Sequence, residues 1–347
     1  MPRDTEALHH ALSRRGLLGV AAGTTAAALL TAASPAPAAP GDATPGAAAS
    51  RGRGRPVVPR GRLGIQLYTI RDQIAELGFA RVFEQLRRHG YAEVEFAGYT
   101  QGTGAITLRE LRRLLRDNGL RGIGSHVAYH SDPYSFATQP ERVVDDAAAL
   151  GLPYVGTPWG PGRYGNTVDA WKRAAEEFNT YGAAARARGL RFYQHNHAEE
   201  FAFAEDRPDV RLYDVLLAET DPDLVDLELD IYWAYVAQHR FSTRPDGTPA
   251  PFDPLDYVLA APGRFPLFHV KDGEHEEAAR DGYVMTDVGD GDLDYRRFVS
   301  AVAHRPHGRR HHWLVERDDA PDPAANPAGS LSTARRSAAH LTRLRTC

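Results

Sequence analysis

The sequence has 347 residues, of which 42% are hydrophobic and 25% are charged, and this is the composition of an ordinary globular protein. A formal net charge of −4 and a pI near 6.4 argue against a general nucleic-acid-binding function. The single cysteine, Cys347, excludes an internal disulfide and a cysteine-ligated metal centre.

The first 38 residues have the pattern of an export signal. Arg14 and Arg15 precede a mildly apolar stretch over residues 16–33, and an Ala-x-Ala cleavage site follows at residues 36–38. A membrane anchor is the alternative, but glycine and threonine residues dilute the stretch. We predict a twin-arginine-type signal peptide over residues 1–38, with the twin-arginine export machinery as a partner and an exported protein as the result. Residues 39–61 are rich in Pro, Gly, Ala and Arg and predict a flexible linker.

From residue 62 onward, short apolar runs alternate with segments of helical periodicity. The predicted strands are 63–68, 92–96, 121–127, 154–157, 191–194, 225–230, 265–270 and 312–315. The predicted helices lie around 79–86 and at 108–117, 141–150, 168–188, 212–218, 255–260, 293–304 and 330–344. Eight such units predict an α/β fold, a single-domain (β/α)8 TIM barrel over residues 62–347. A doubly wound open sheet is the alternative, but no glycine-rich phosphate turn follows the first strand.

Polar side chains recur at the carboxyl ends of the predicted strands, where a barrel of this type carries its site. They are Gln66, Glu95, His126, Thr157, His195 with His197 and Glu200, Asp230, His269 with Lys271, and Glu316. So many carboxylates facing one another would repel strongly unless a cation lay among them. A divalent metal held by three carboxylates and one imidazole is the simplest arrangement. This ligand set suits Mn, Mg or Co, with Zn and Fe as further candidates.

Several segments resemble motifs of the xylose-isomerase-like barrel family, the sugar phosphate isomerase/epimerase group. They are residues 64–72, 94–99, 195–201, 227–233, 269–272, 288–295 and 315–318. The resemblance implies a metal held by Glu200, Asp230, His269 and Glu316. It also implies that Glu200 and Glu316 act as an acid/base pair on opposite faces of a metal-chelated ketose. Glu199 is the alternative to Glu200, and Ala198-Glu199 departs from the Asp-Phe that relatives usually have there.

The other polar or aromatic residues near the strand ends are predicted substrate contacts. They are Glu95, His126, His195, His197, Lys271 and Trp233. His126 has an equal alternative as a core histidine, and Lys271 could instead form a structural ion pair with Asp272. The segment after the last strand, residues 317–323, is acidic and would repel phosphate, so we expect an unphosphorylated carbohydrate as the small-molecule partner.

These expectations predict a metal-dependent isomerase or epimerase that removes a proton next to a metal-bound carbonyl of a sugar or keto-sugar, through an enediolate. One alternative shares the first step and then expels a leaving group by β-elimination, as a lyase or dehydratase acting on a keto-glycoside or keto-inositol. A non-catalytic sugar-binding protein is a third hypothesis. The sequence leaves open which sugar is bound and whether the chain forms a homo-oligomer.

Replacing Arg14 and Arg15 with Lys should leave folded protein inside the cell, because the arginine pair is the feature that the twin-arginine machinery reads. Cell fractionation followed by immunoblotting measures this directly. Export of the double variant at the wild-type level would contradict the prediction.

Overall fold

The computed structural model describes residues 54–59, 61–99, 106–303 and 311–345. The predicted export signal, most of the predicted linker and Cys347 lie outside the described residues. The residues from Arg55 onward belong to one compact unit. Within the described ranges, no helix combines the length and the apolar character needed to cross a membrane.

Eight parallel strands close into a barrel, with helices between them. The barrel strands are β1 (Leu63–Gln66), β2 (Glu93–Ala97), β3 (Arg121–His126), β4 (Tyr154–Thr157), β5 (Arg191–His195), β6 (Val225–Asp230), β7 (Leu267–Val270) and β10 (His312–Val315). Two further strands, β8 (Asp272–His275) and β9 (Tyr283–Thr286), lie between β7 and β10 in the chain and outside the barrel. The helices are α1 (Arg71–His89), α2 (Leu108–Asp117), α3 (Pro140–Leu150), α4 (Val168–Ala187), α5 (Leu212–Glu219), α6 (Ile231–Arg240), α7 (Pro254–Ala260), α8 (Tyr295–Ala303) and α9 (Ser330–Arg343). The order around the barrel is β1-β10-β7-β6-β5-β4-β3-β2. The predicted single-domain TIM barrel is confirmed.

Helix boundaries follow local signals in the sequence. Thr107 and Glu110 form a reciprocal capping box at the start of α2, and the Thr167 side chain accepts a hydrogen bond from the backbone of Ala170 at the start of α4. Gly90 and Gly151 adopt left-handed conformations that end α1 and α3. These signals explain why the helix ends could be predicted closely.

Two features between β6 and α8 were not predicted. Helix α6 begins at Ile231, directly after β6, because Asp230 is its N-cap and its Oδ1 accepts the backbone N–H of Trp233 at 2.9 Å. Strands β8 (Asp272–His275) and β9 (Tyr283–Thr286) form an antiparallel hairpin after β7. The periodicity alone predicted one helix, at residues 255–260, between β6 and β7.

Residues 55–59, predicted as the end of the linker, pack against the barrel. Val57 and Val58 are each only 3% exposed and belong to the hydrophobic core. The Val57 N–H donates to the Leu344 carbonyl oxygen at 3.3 Å, and Pro56 forms a β-bridge with Arg345. The compact unit therefore begins several residues before the predicted boundary at 62.

The barrel interior contains a tyrosine that two glycines accommodate. A Cβ atom on Gly156 would lie 2.1 Å from the Tyr193 carbonyl oxygen, and one on Gly124 would lie 3.0 Å from the Tyr193 hydroxyl. Only glycine at position 156 allows β4 to pass so close to β5. The Tyr193 hydroxyl donates to Glu95 Oε1, so these glycines help to set the position of a carboxylate beneath the barrel mouth.

Gly156→Ala should lower the free energy of unfolding by roughly 1–3 kcal/mol or more, because the added methyl group overlaps the backbone of β5. Gly263→Ala is the matched control, since a Cβ atom there meets no other atom within 4 Å. Urea unfolding of both variants measures the difference. Equal stability of the two variants would contradict the prediction.

Candidate metal centre at the mouth of the barrel

Four side chains from four neighbouring strands converge at the carboxyl end of the barrel. His195 ends β5, Asp230 ends β6, His269 lies in β7, and Glu316 follows β10. One possible ligand atom of each lies within 4.8 Å of those of the other three. The closest pairs are His269 Nδ1 with Glu316 Oε2 at 2.6 Å and His195 Nε2 with Asp230 Oδ2 at 3.3 Å. All four are buried, and this group can hold a metal ion.

The His195 ring is oriented for metal binding by a backbone carbonyl. Its Nδ1 lies 2.7 Å from the carbonyl oxygen of Pro158, which can only accept a hydrogen bond, so Nδ1 carries the proton. Burial, with a contribution from His269, lowers the pKa of His195 well below its usual 6.5, so the ring is neutral. Its Nε2 lone pair therefore faces Asp230. A hydrogen bond on the far ring nitrogen is the usual way that proteins orient a metal-binding histidine.

His269 is held in the same way, by carboxylates below it. Its Nε2 lies 2.6 Å from Glu95 Oε2 and 3.3 Å from Glu228 Oε1, so this nitrogen is the donor. Its Nδ1 is buried 2.6 Å from Glu316 Oε2 but forms no hydrogen bond of acceptable geometry there. Burial lowers the pKa of His269, but the carboxylates of Glu228, Glu316 and Glu95 outweigh this effect and raise the pKa well above 6.5. A metal ion at Nδ1 would therefore displace a proton.

Asp230 is fixed by two neighbouring elements. Its Oδ1 caps helix α6, which leaves Oδ2 directed at His195 and Lys271. Asn196 brackets the backbone of the same residue, since its Oδ1 accepts the Asp230 N–H at 3.0 Å and its Nδ2 donates to the Asp230 carbonyl at 3.4 Å. The ends of β5 and β6, which supply two of the four candidate ligands, are therefore held together by one amide.

Lys271 supplies the permanent positive charge of the site. Its Nζ lies 3.0 Å from Asp230 Oδ2, 3.1 Å from Glu316 Oε2 and 2.8 Å from Asp318 Oδ1. Burial lowers the pKa of Lys271, but these three carboxylates outweigh this effect and raise the pKa well above 10.5. Burial raises the pKa of Glu316, but Lys271 and His269 outweigh this effect and hold the pKa well below 4.5, so Glu316 is ionised. Three carboxylates around one ammonium leave a net negative charge that favours a cation.

The predicted ligand Glu200 lies outside this group. Its carboxylate accepts hydrogen bonds from the backbone N–H groups of Gly160 and His197, the latter at 2.8 Å. The short 3₁₀ helix at residues 199–201 buries Glu200 and turns Glu199 outward to pair with Arg240 at 2.7 Å. Glu200 therefore fastens two loops at the barrel mouth, and His195 occupies the place in the ligand group that the sequence assigned to Glu200.

A cavity of about 470 Å³ reaches two of the four candidate ligands, His195 and Glu316. Its lining is Tyr68, Ala97, Gly98, His126, Val127, Ala128, Asp132, Tyr134, Pro158, Trp159, His195, His197, Lys271, Glu316 and Asp318. The cavity therefore contacts candidate metal ligands and also aromatic side chains at its rim. Its volume lies in the size range of small-molecule sites.

The sequence profile of the xylose isomerase-like TIM barrel family matches residues 83–335. The chain belongs to this family. No curated protein matches the sequence significantly.

Solved structures share the fold of the xylose isomerase-like barrel. A sugar phosphate isomerase/epimerase from Parabacteroides distasonis superposes with a TM-score of 0.64 at 23% identity, over 86% of this chain and 96% of that chain. The probable 3-DHS dehydratase AsbF from Bacillus anthracis gives a TM-score of 0.59 at 13% identity, over 81% and 98%. The IOLI protein, whose structure holds a zinc atom, gives 0.59 at 12% identity, over 82% and 99%. At these identities the likeness shows the fold alone.

The predicted substrate contacts of this family member fall into two groups. His126, His195, His197 and Lys271 line the cavity. Glu95 instead lies beneath the ligand group, where Gln66 donates to its Oε2 at 2.9 Å and His269 occupies the same oxygen. Trp233 lies on α6, behind His197, with ring centroids 5.4 Å apart. Lys271 pairs with carboxylates of the site and not with Asp272, whose oxygens accept backbone N–H groups of the loop after β9.

Two residues of the site, Glu228 and Asp318, were not predicted from the sequence. Glu228 lies fully buried in β6, and its Oε2 is 2.9 Å from His126 Nε2. The alternation of Asp226, Glu228 and Asp230 places all three on one face of the strand and could have indicated it. Asp318 lines the cavity and pairs with Lys271. Its position two residues after Glu316 is a weaker signal, because it lies in a loop.

Glu200 predicts a pH dependence of stability. Burial raises its pKa from 4.5 to about 7, and the backbone hydrogen bonds from Gly160 and His197 offset part of this rise. Between these values the folded protein keeps the proton while the unfolded chain loses it. The stability that Glu200 contributes is therefore fully present below about pH 4.5 and is lost as the pH rises to about 7, by roughly 3 kcal/mol in all.

Urea unfolding of the wild type and of Glu200→Gln between pH 4.5 and 8 tests this dependence. The stability difference, wild type minus variant, should fall as the pH rises and level off above about pH 7. Glu199→Gln, on the adjacent exposed residue, is the control and should show no such trend. A difference that stays constant or increases with pH would show that Glu200 is ionised throughout.

Proposed function

We propose that the protein is a metal-dependent isomerase or epimerase that removes a proton next to the carbonyl of an unphosphorylated sugar or keto-sugar. The observation that carries the proposal is the convergence of His195, Asp230, His269 and Glu316, two of which, His195 and Glu316, line an open cavity. The similarity in fold to a sugar phosphate isomerase/epimerase supports this reaction class. The family alone does not fix the reaction, since a probable dehydratase shares the fold.

The four convergent side chains would hold the metal ion. Two imidazoles and two carboxylates form a donor set that favours Zn, Fe, Co or Mn over Mg, since Mg prefers an all-oxygen shell. A bound divalent cation supplies Lewis acidity to a carbonyl oxygen and stabilises the negative charge that develops when a neighbouring proton leaves. The zinc in the structurally similar IOLI protein supports a borderline metal of this kind.

Glu316 is the proposed base. Its carboxylate lines the cavity, and its contacts with His269 and Lys271 both involve Oε2. Lys271 keeps Glu316 ionised, which is the form of a carboxylate that can accept a proton. His126 and His197 line the same cavity from β3 and from the loop after β5, each three strands away from β10 around the barrel. They are placed to bind sugar hydroxyl groups opposite the base.

The charge of the cavity supports a substrate without phosphate. Asp132, Glu316 and Asp318 line it, and Lys271, the one Lys or Arg among the lining residues described, is already shared by three carboxylates. A phosphate dianion would meet net negative charge, and none of the lining residues is an arginine. Neutral hydroxyl groups carry no such cost.

A second candidate function is β-elimination from a keto-glycoside or keto-inositol. One observation favours it: both oxygens of Glu200, the expected second base, accept backbone hydrogen bonds outside the ligand group. Epimerisation by two opposed carboxylates requires a base on each face of the substrate. Proton removal by Glu316 followed by loss of a leaving group requires only one base, since the protonated Glu316 can return its proton to the leaving group.

Proton exchange measured by NMR in deuterium oxide tests the proposal. Metal-loaded protein should incorporate deuterium next to the carbonyl of one or more unphosphorylated keto-sugars. Glu316→Gln should lower the rate about 10²- to 10⁴-fold, because the base is lost. The matched control Glu199→Gln, on the surface beside Arg240, should keep the wild-type rate.

The products separate the hypotheses. A rearranged sugar with deuterium and no lost group supports the isomerase or epimerase, and an unsaturated product supports the lyase. Sugar binding without exchange, unchanged in Glu316→Gln, would overturn both enzymatic proposals in favour of a sugar-binding protein.

A further inference from the structure

Two exposed aromatic side chains stand at the rim of the cavity. Among the described residues, four large hydrophobic side chains are exposed, namely Tyr68, Leu77, Trp159 and Val284. Tyr68, at 42% exposure, and Trp159, at 44%, both line the cavity. Tyr68 follows β1 and Trp159 follows β4, three strands away around the barrel, so they lie on different sides of the opening. Exposed apolar surface concentrated at one opening is typical of a binding site.

The loop that carries Trp159 is fixed on both sides of this residue. The Pro158 carbonyl accepts the hydrogen bond from His195 Nδ1, and the Gly160 N–H donates to Glu200. A Cβ atom at position 160 would lie 2.5 Å from Glu200 Oε1, so only glycine allows this contact. Trp159 is therefore an exposed side chain on a backbone held in place from within the site.

Tyr68 is held in a comparable way. The Arg71 guanidinium lies 3.7 Å from the centroid of the Tyr68 ring, and Arg71 also donates to the Tyr68 carbonyl at 2.6 Å. The Tyr68 N–H donates to Gln66 Oε1 at 3.2 Å, which ties the residue to the end of β1. A side chain fixed before binding loses little conformational entropy when a ligand packs on it.

The size of the cavity fits a ligand with more than one ring. Its volume of about 470 Å³ lies in the range of sites that enclose whole drug-sized ligands, and a single six-membered ring would not fill it. Two of the candidate metal ligands, His195 and Glu316, line the cavity on the inside, and the two exposed aromatic side chains line it at the rim. A sugar whose carbonyl reaches these two ligands would place its substituent against Trp159 or Tyr68.

We propose that Tyr68 and Trp159 form a subsite for a second ring, so that the substrate is a glycoside and not a free monosaccharide. This inference rests on the proposed function, in which the first ring reaches the candidate metal centre. The second ring presents a flat apolar face, either the C–H face of another sugar or an aryl group. Asp132 at the same rim disfavours an anionic substituent.

Steady-state proton exchange by the metal-loaded enzyme tests the subsite. The probes are a keto-monosaccharide, the matching keto-disaccharide and the matching phenyl keto-glycoside. Trp159→Ala should raise KM for the two-ring probes roughly 5- to 10-fold more than for the monosaccharide, with kcat changed little, and Trp159→Phe should restore part of the loss. Whichever two-ring probe has the lower wild-type KM identifies the second ring as sugar or aryl. Leu77→Ala, at an equally exposed position outside the cavity lining, is the control and should leave all KM values unchanged.

Tryptophan fluorescence gives a second reading that does not depend on turnover. Of the other three tryptophans, Trp171 and Trp313 are buried, at 3% and 0% exposure, whereas Trp233 is partly buried behind the cavity-lining His197. A ligand-dependent change in emission that is lost in Trp159→Phe and kept in Trp233→Phe therefore comes from Trp159. If the wild type binds two-ring probes with this change but exchanges no proton, the subsite stands and the proposed reaction fails. If exchange occurs and Trp159→Ala affects one-ring and two-ring probes equally or not at all, the reaction stands and the subsite is overturned.

Discussion

The site depends on how the negative charge of two buried carboxylates, Asp230 and Glu316, is neutralised. Lys271 lies about equally far from both, at 3.0 and 3.1 Å, and is also claimed by Asp318. Two histidines complete the group: His195 Nε2 faces Asp230, and His269 Nδ1 faces Glu316. The Nε2 lone pair of His195 faces the Asp230 carboxylate in a buried site, and this contact favours a cation between the two groups. A divalent ion among these atoms would offset the negative charge of the two carboxylates.

The surrounding contacts orient three of the four side chains. A backbone carbonyl fixes His195, the start of a helix fixes one oxygen of Asp230, and Glu95 with Glu228 fixes His269. These partners come from elements that are far apart in the sequence and close only in the barrel. Hydrogen-bond partners of this kind set the orientation of metal-binding side chains and influence their basicity. The polar layer under the mouth therefore has a role in positioning, which explains why so many ionisable groups are buried there.

Much of the fold could be predicted because its signals are local. Period-two strands, helical periodicity, capping threonines and terminal glycines all act within a few residues, and they predicted eight β-α units. Asp230, His269 and Glu316 could be placed because each lies in or directly after a barrel strand. Helix α6 was missed because Asp230 was interpreted only as a ligand, although one of its oxygens also caps this helix.

Glu200 shows where local reasoning ends. Its residue type and its place after β5 suit a metal ligand, but a hydrogen bond from Gly160, which is 40 residues earlier, turns the carboxylate away. No pattern in the sequence around Glu200 reveals that partner. His195 was predicted to contact the substrate, and its role as a candidate ligand follows from the Pro158 carbonyl, which is equally remote. Tertiary hydrogen bonds of this kind decide which of several suitable side chains faces the centre.

A metal ion in this barrel would be held by two imidazoles and two carboxylates, with His195 in place of Glu200. X-ray absorption spectroscopy of the metal-loaded protein measures the number of histidine ligands directly. We expect two imidazoles per metal in the wild type and in Glu200→Ala, and one in His195→Ala. One imidazole in the wild type, with a ligand shell that changes in Glu200→Ala and not in His195→Ala, would contradict it.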